Sequence, residues 1–261
     1  MSATNILVTG GTGRVGALVV PRLVEAGCLV RVLSRRGGVN TDGVEHVTGD
    51  LVKGRGVEAA VRGQQVILHL AGGPKGDDVA ARNLVQAAAA AGAEKIVFIS
   101  VTGADAVPVK WLHTKYAAEQ AIVDSGIPFT IVRAAQFHHL THAAVGMMAK
   151  LPVVPVPGGL RFQPIDTGDV AERLVELALA APAGRVRDLV GPQTLGVREL
   201  VDSVLRARGT RRLRMPVRIP GKAGVAYRAG ANLSEQNVDR GTVTWESFLA
   251  RETAASVGVT P

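Results

Sequence analysis

Short apolar runs alternate with longer segments of helical periodicity over the first half of the chain. The first run, Asn5–Thr9, is apolar and ends at a glycine, which is typical of a buried strand. Residues 14–26 then carry apolar side chains at helical spacing and end before Gly27. The same alternation predicts strands over 29–33, 44–47, 66–70, 95–100 and 129–133, and helices over 57–61, 78–91 and 111–124.

This alternation determines the predicted fold class. Parallel neighbouring strands need a crossover between them, and the crossover is usually a helix. Two successive halves of three strands make the six-stranded fold that binds dinucleotides. We therefore predict an α/β fold with a doubly wound parallel sheet of Rossmann type.

The pattern becomes less regular after Arg133. It predicts strands over 159–165 and 185–190 and helices over 167–180 and 197–208, with several prolines between them. No flexible linker separates this region from the first half. We predict one integrated fold, with a dinucleotide-binding half over 1–135 and a small C-terminal substrate lobe over 136–261.

Composition narrows the class of protein. The 261 residues are 47% hydrophobic and 20% charged, so the chain can bury a sizeable core and is not globally disordered. Its single cysteine, Cys28, excludes an intramolecular disulfide framework and a cysteine-based zinc cluster, and it favours a reducing, cytoplasmic setting. The N-terminus has no basic region typical of a signal peptide, and the apolar stretch 143–160 contains three prolines. We expect neither a membrane partner nor a metal.

The formal net charge of +8 is concentrated in one window. Between Ser203 and Ser234 there are eight basic residues and no acidic one, so the charge of this window equals the net charge of the whole chain. It is either a solvated edge or a surface that attracts an acidic substrate, a protein or a nucleic acid. Because no nucleic-acid motif or aromatic stacking pattern accompanies it, we do not expect nucleic acid as a partner. The basic residues are Arg206, Arg208, Arg211, Arg212, Arg214, Arg218, Lys222 and Arg228.

Three glycines, Gly10, Gly13 and Gly16, lie between the first predicted strand and the first predicted helix. A pyrophosphate needs closely approaching backbone N–H groups and is stabilised by the positive end of a helix dipole. Glycine permits both the turn and the close approach, and the strand–turn–helix context supports this interpretation. The loop predicts a pyrophosphate site to which Thr12, Arg14 and Val15 also contribute.

The end of the second predicted strand favours one dinucleotide over the other. NAD sites usually carry an acidic residue there for the ribose 2′-hydroxyl. This chain has Arg35 and Arg36 instead, and no acid between Glu25 and Asp42. Guanidinium groups suit a 2′-phosphate, so we predict NADP(H), with NAD(H) less favoured. Further predicted cofactor contacts are Asp50 and Leu51 beside the adenine, and Ala71, Gly72 and Gly73 after the fourth strand.

Several of these motifs together resemble a known family. The glycine pattern, Gly49-Asp50-Leu51, Ile99-Ser100, Lys115 and residues 126–133 are similar to the atypical short-chain dehydrogenase/reductase superfamily, most closely its NmrA-like, NAD(P)H-binding branch. The resemblance extends over Gln136-Phe137-His138 and 162–171. It implies an NAD(P)H-binding fold, and the branch includes quinone and small-carbonyl reductases, redox sensors and oxygenase-like enzymes. We predict that Ala134, Ala135, Gln136 and Phe137 contact the cofactor.

In the wider superfamily a serine, a tyrosine and a lysine carry the reaction. Ser100 and Lys115 occupy the serine and lysine positions, and the resemblance implies that they orient substrate and cofactor. Trp111 stands where the tyrosine belongs, four residues before the lysine, and its indole is not a useful acid. Tyr116 is rotated about 100° away on a helix and is a poor substitute. This departure argues against tyrosine-dependent ketone reduction.

Histidines after the sixth predicted strand offer another acid. Of His138, His139 and His142 we single out His138 as a candidate catalytic residue; with Trp111, Gln136 and Phe137 it is predicted to line the substrate pocket. No acidic residue lies within the histidine cluster, which argues against a metal site.

The sequence thus predicts an NADP(H)-dependent oxidoreductase that reduces a small quinone or conjugated carbonyl by hydride transfer, with protons drawn from water. Two alternatives stay open: a non-catalytic sensor of NADP(H), and an NADPH-dependent, oxygenase-like enzyme acting on polycyclic aromatics. The oligomeric state is not predicted.

Overall fold

The computed structural model describes residues 3–257, with side chains up to residue 254, and it divides into two compact units. The first unit contains residues 3–100, 110–133 and 170–187, and the second contains 101–109, 134–169 and 188–257. Each unit is thus assembled from three separate stretches of chain. The division after residue 135 stays a prediction, and residues 258–261 of the predicted lobe lie outside the described residues.

The elements follow in chain order. They are β1 (Asn5–Thr9), α1 (Gly16–Glu25), β2 (Leu29–Ser34), β3 (Val44–Thr48), α2 (Val57–Val61), β4 (Val66–His69), α3 (Asp77–Ala90), β5 (Lys95–Val101), α4 (Lys110–Val123), β6 (Phe129–Ala134), α5 (His138–Met148), β7 (Val153–Pro157), β8 (Arg161–Phe162), α6 (Thr167–Leu179), β9 (Gly184–Arg185), β10 (Asp188–Val190), β11 (Leu195–Gly196), α7 (Val197–Ala207), β12 (Leu213–Val217), α8 (Gly221–Arg228), β13 (Val238–Arg240) and α9 (Trp245–Val257).

The first unit is built around a parallel sheet with the strand order β3-β2-β1-β4-β5-β6, and β9 pairs with β6. This confirms the predicted doubly wound α/β fold. The chain starts in the middle of the sheet and winds outward in both directions, so the direction of winding reverses between β1 and β4. Ligands of such sheets bind at the carboxyl ends of the strands near this reversal.

Nearly continuous burial explains why these runs form central strands. Every residue of β4 is buried, and so are six of the seven residues of β5. Strands that are covered on both faces need apolar runs rather than alternation. The core on one side of the sheet joins Leu7, Ile67 and Phe98 to the apolar faces of α3 and α4.

The second unit contains short strand pairs and helices. β7 pairs with β12 in parallel, β8 with β11 antiparallel, and β10 with β13 in parallel. Its hydrophobic core contains Trp245, which is 1% exposed. The indole N–H of Trp245 donates to Ser203 Oγ over 2.7 Å. Burying the indole requires such a partner for its N–H group.

The structure corrects several predictions for this half. The strand predicted over 159–165 is reduced to the two residues of β8, and Gly159, with a φ of 75°, lies in the left-handed region rather than in extended geometry. The strand predicted over 185–190 is split into β9 and β10. Seven further elements of the second unit were not predicted: α5, α8, α9, β7, β11, β12 and β13. The histidines after β6 lie in α5.

None of the helices in the described part of the chain is long and apolar enough to cross a membrane.

Candidate functional site

Two positions in the turn from β1 into α1 have no room for a side chain and therefore require glycine. Gly10 has a φ of 73°, and a Cβ there would lie 2.7 Å from the backbone nitrogen of Ala71. A Cβ on Gly16 would lie 2.3 Å from the Gly10 carbonyl oxygen. The predicted loop glycines therefore allow the start of α1 to pack directly against the carboxyl end of β1 and β4.

This turn leaves backbone donors available for a ligand. The N–H groups of Thr12, Arg14 and Val15 have no backbone hydrogen-bond partner among the residues described, whereas Gly13 N–H donates to the Gly10 carbonyl over 2.9 Å. Thr12, Gly13 and Arg14 are exposed, and no acidic residue lies in the first turn of α1. Free amides at a helix N-terminus fit a diphosphate group.

Arg35 and Arg36 follow β2 and are exposed. Neither forms an ion pair or hydrogen bond with any other residue that the structure describes. The turn that contains them is closed by Ser34 Oγ, which donates to the Gly37 carbonyl over 2.9 Å. Asp50 of the neighbouring loop instead accepts the Lys53 N–H over 3.1 Å, so one of its oxygens is already used locally.

A buried pair of polar side chains, Thr9 and His69, lies next to the glycine turn at the ends of β1 and β4. Thr9 Oγ1 lies 2.7 Å from His69 Nδ1 and accepts the Ala71 N–H over 3.3 Å. The His69 ring stacks on Phe98 at 5.1 Å between centroids. Burial, and to a smaller extent the charge of Lys115, lower the pKa of His69 to about 3. His69 is therefore a neutral structural group at the ends of β1, β4 and β5.

A buried carboxylate, that of Glu119, connects α4 to two strands. Arg133 of β6 donates to both of its oxygens, from Nε over 2.8 Å and from a terminal nitrogen over 2.7 Å. Ser100, at the end of β5, donates its hydroxyl to the same carboxylate. All three side chains are almost fully buried. Ser100 thus has its hydroxyl proton engaged within the protein, and its direct catalytic role stays a prediction.

Lys115 lies one helical turn before Glu119 and is also buried. Its Nζ is 3.1 Å from Asp77 Oδ2, while Asp77 Oδ1 accepts the Gly73 N–H over 2.9 Å. A Cβ added at Gly72 would lie 2.8 Å from the same Nζ. The structure therefore brings together three predicted residues, Gly72, Gly73 and Lys115, around a carboxylate that was not predicted.

Trp111 precedes Lys115 by one further turn of α4. Residues four apart lie on one helix face, so Trp111, Lys115 and Glu119 form a single stripe. Trp111 is partly buried, whereas Tyr116 is exposed and lies 5.9 Å from the Arg133 guanidinium. The indole thus occupies the helix position predicted for it, and Tyr116 faces elsewhere.

The candidates after β6 belong to the second unit, whereas the groups described above belong to the first. The Ala134 carbonyl accepts the Thr102 N–H, and the Ala135 N–H donates to the Leu189 carbonyl, so these backbone groups are used internally. The side chains of Gln136 and Phe137 are partly buried. Cofactor contact by these residues stays a prediction.

His138 is almost fully buried, and neither ring nitrogen has a hydrogen-bond partner among the described residues. Its ring packs against Trp245 and Phe248. Burial lowers the pKa of His138, although Asp166, whose Oδ2 lies 3.9 Å from Nδ1, acts in the opposite direction. Since a general acid needs the imidazolium form, this environment does not favour the predicted role.

Five residues that form the buried polar contacts of the first unit were not predicted from the sequence. Two carried a readable signal: Glu119 is spaced four residues from Lys115, and Arg133 is a charged residue within an apolar strand, where it needs a counter-charge. The others, Thr9, His69 and Asp77, carried none, because their partners are distant in sequence.

Free amides at the glycine turn, arginines without partners after β2 and a buried lysine at the carboxyl ends of the strands are groups that suit a phosphorylated dinucleotide. The chain belongs to the NAD(P)H-binding family, whose model matches residues 10–181. This confirms the predicted family and type of cofactor.

Known proteins agree with this assignment. A (4-alkanoyl-5-oxo-2,5-dihydrofuran-3-yl)methyl phosphate reductase of Streptomyces griseus is 33% identical over 211 residues, which cover 78% of this chain and 74% of that protein. The fold is similar to that of the NADPH-dependent quinone oxidoreductase QOR2 of Escherichia coli complexed with NADPH, with a TM-score of 0.79, 18% identity and coverage of 95% and 99%. It is also similar to that of Citrobacter sp. triphenylmethane reductase complexed with NADP(H), with a TM-score of 0.74, 19% identity and the same coverage.

We predict that Glu119→Gln destabilises the first unit by about 3 kcal/mol, because it leaves the buried Arg133 guanidinium without its counter-charge. Urea denaturation followed by circular dichroism measures the loss. The matched control is Glu172→Gln on exposed α6 surface, which we expect to change stability by less than about 0.5 kcal/mol. A Glu119→Gln protein as stable as this control would contradict the role of the buried pair.

We predict that the stability of the protein depends on pH through His69. A histidine with a lowered pKa contributes stability that is present above the ordinary value near 6.5 and is lost as the pH falls towards its folded value of about 3. Between pH 7 and pH 5 we expect His69 alone to account for a loss of about 2 kcal/mol. Urea denaturation at several pH values measures this loss. In His69→Gln the free energy of unfolding should fall about 2 kcal/mol less between pH 7 and pH 5 than in the wild type. His113→Gln, at an exposed position of α4, should show the same fall as the wild type. Equal slopes in wild type and His69→Gln would refute the prediction.

Proposed function

We propose that this protein is an NADPH-dependent reductase that delivers hydride to a small quinone or conjugated carbonyl. The observation that carries the proposal is the stripe on α4, which combines a fixed lysine with a tryptophan in place of the expected acid. The reductase named among its relatives and the NADPH-dependent quinone oxidoreductase among proteins of similar fold support the same class.

The first unit offers separate groups for the pyrophosphate and for the 2′-phosphate of the cofactor. The free N–H groups of Thr12, Arg14 and Val15 suit the pyrophosphate. Arg35 and Arg36, which have no acidic partner among the described residues, suit a 2′-phosphate and so favour NADPH over NADH. When bound, NADPH supplies the hydride.

Lys115 is the positively charged group at this edge of the sheet. Its contact with Asp77 limits the orientations of the ammonium, which retains further N–H donors for a ribose hydroxyl. Asp77 also fixes Gly73, so the backbone beside the ammonium is held by the same carboxylate. We assign Lys115 to cofactor binding and Asp77 to positioning.

Trp111 restricts the acceptors that this site can reduce. An indole N–H donates a hydrogen bond but does not release a proton near neutral pH. An isolated ketone would form an alkoxide that needs a proton donor in the transition state. A quinone or conjugated carbonyl gives a delocalised anion, which water can protonate afterwards. The missing tyrosine therefore favours conjugated acceptors.

Cofactor choice is tested by calorimetric titration with NADPH and NADH. We expect tighter binding of NADPH, and for Arg35→Gln/Arg36→Gln a loss of at least about tenfold in NADPH affinity with NADH affinity unchanged, since two charge-assisted contacts are removed. Arg62→Gln, which removes an exposed charge elsewhere in this unit, is the control. Tighter binding of NADH by the wild type would overturn the assignment.

Acceptor choice is tested by NADPH oxidation with a panel of quinones, conjugated carbonyls and simple ketones. We expect turnover with conjugated acceptors only, and a gain of ketone reduction in Trp111→Tyr, where a phenol replaces the indole. If NADPH binds tightly and no acceptor is reduced, the reductase proposal fails. The tryptophan would then favour the second candidate, a non-catalytic sensor of the NADP(H) pool.

A further inference from the structure

The parallel pair β7–β12 in the second unit has an apolar outer face. Leu213 pairs with Val153, and Met215 with Pro155, so these four side chains share one side of the pair. Leu213 is 74% exposed, Met215 50% and Val153 39%. On the opposite side, Val154 and Val156 of β7 are buried in the core of the unit. The usual arrangement, with polar residues outward, is therefore absent from this pair.

Cationic side chains flank this face at both ends. Arg211 and Arg212 immediately precede β12, Arg218 immediately follows it, and Lys222 lies at the start of α8. None of these four side chains forms an ion pair with an acidic residue in the described part of the chain. Arg214, by contrast, pairs with Asp202. The unpaired charges of the basic window thus lie next to exposed apolar residues.

Proline placement argues against a partner strand as the occupant. Pro155 and Pro157 in β7 and Pro216 in β12 lack the N–H groups that an added strand needs. A second copy of the chain is also disfavoured, because a symmetric contact would bring the same unpaired arginines together. An occupant must instead be apolar at its centre and anionic around it.

We propose that the β7–β12 face, defined by Val153, Leu213 and Met215 with Arg211, Arg212 and Arg218, docks on an anionic lipid bilayer. The aliphatic side chains enter the interface between headgroups and acyl chains, and the guanidinium groups bind lipid phosphates. This is a surface contact and needs no membrane-spanning helix. It revises the expectation that the protein has no membrane partner, and it does not depend on the proposed reductase activity.

The test is flotation of the purified protein with two kinds of vesicle, phosphatidylcholine alone and phosphatidylcholine mixed with phosphatidylglycerol. We expect binding to the anionic vesicles, little binding to the neutral ones, and release by salt. Absence of binding to anionic vesicles at low salt would overturn the proposal, as would equal binding to both kinds.

Two pairs of substitutions separate the apolar and the charged contributions. Arg211→Gln/Arg212→Gln should weaken binding about 30-fold, since each charge contributes about a factor of five to six. Leu213→Ser/Met215→Ser should weaken it at least about tenfold through lost apolar burial. The controls are Lys53→Gln/Arg62→Gln, which removes two positive charges, and Val39→Ser/Val52→Ser, which removes two apolar side chains, both at exposed positions of the first unit; neither should change binding.

Both pairs alter exposed side chains, and thermal unfolding verifies that the variants are folded. If Leu213→Ser/Met215→Ser binds anionic vesicles as the wild type does, the contact is only non-specific charge attraction and the proposal is wrong. The proposal is also wrong if light scattering shows that the wild type is a dimer and that Leu213→Ser/Met215→Ser is a monomer. The face would then be an interface between two copies of the chain.

Discussion

The buried carboxylate of Glu119 is the constraint on which the arrangement of the first unit depends. An ionised group removed from water must be paired and hydrogen-bonded, and Arg133 and Ser100 provide those contacts. Because these partners lie on β6 and β5, the contact fixes both the rotation and the height of α4 against the sheet. Lys115, one turn away on the same face, then lies at the carboxyl edge of the strands, where Asp77 binds it.

Other buried polar contacts stabilise the same edge. Hydrogen bonds among Thr9, His69 and the Ala71 amide connect the ends of β1 and β4 next to the glycine turn. Because Gly10 has no Cβ, these two strand ends can approach each other closely. Burial keeps His69 neutral, so this contact adds no charge beside the lysine. The groups available to a ligand are thus backbone amides and cations, which together suit a phosphorylated dinucleotide.

Sequence reasoning predicted the first unit well because its strands are continuous apolar runs separated by helices of adequate length. Glycine spacing between β1 and α1 was sufficient to predict the tight turn with free amides that the structure shows, and the phosphate site at this turn stays a prediction. The second half could not be predicted in the same way: β8 and β11 have two residues each, and prolines interrupt β7 and β12. Such short strands are specified by tertiary pairing rather than by local pattern.

Pairing also explains what was missed in the site and on the surface. Asp77 and Lys115 meet only after the sheet has formed, and nothing local in either segment indicates the other. The basic window was visible in the sequence, but the apolar face beside it emerges only from the register that places Leu213 next to Val153. By contrast, the tryptophan four residues before Lys115 was readable directly, because helical spacing alone places it.

The most direct test of the site in the first unit is a crystal structure of the full chain with NADPH bound. We expect the pyrophosphate on the amides of Thr12, Arg14 and Val15, the 2′-phosphate against Arg35 and Arg36, and Lys115 on a ribose hydroxyl while still paired with Asp77. A cofactor bound away from the glycine turn, or a Lys115 that leaves Asp77 and contacts no part of the cofactor, would contradict it.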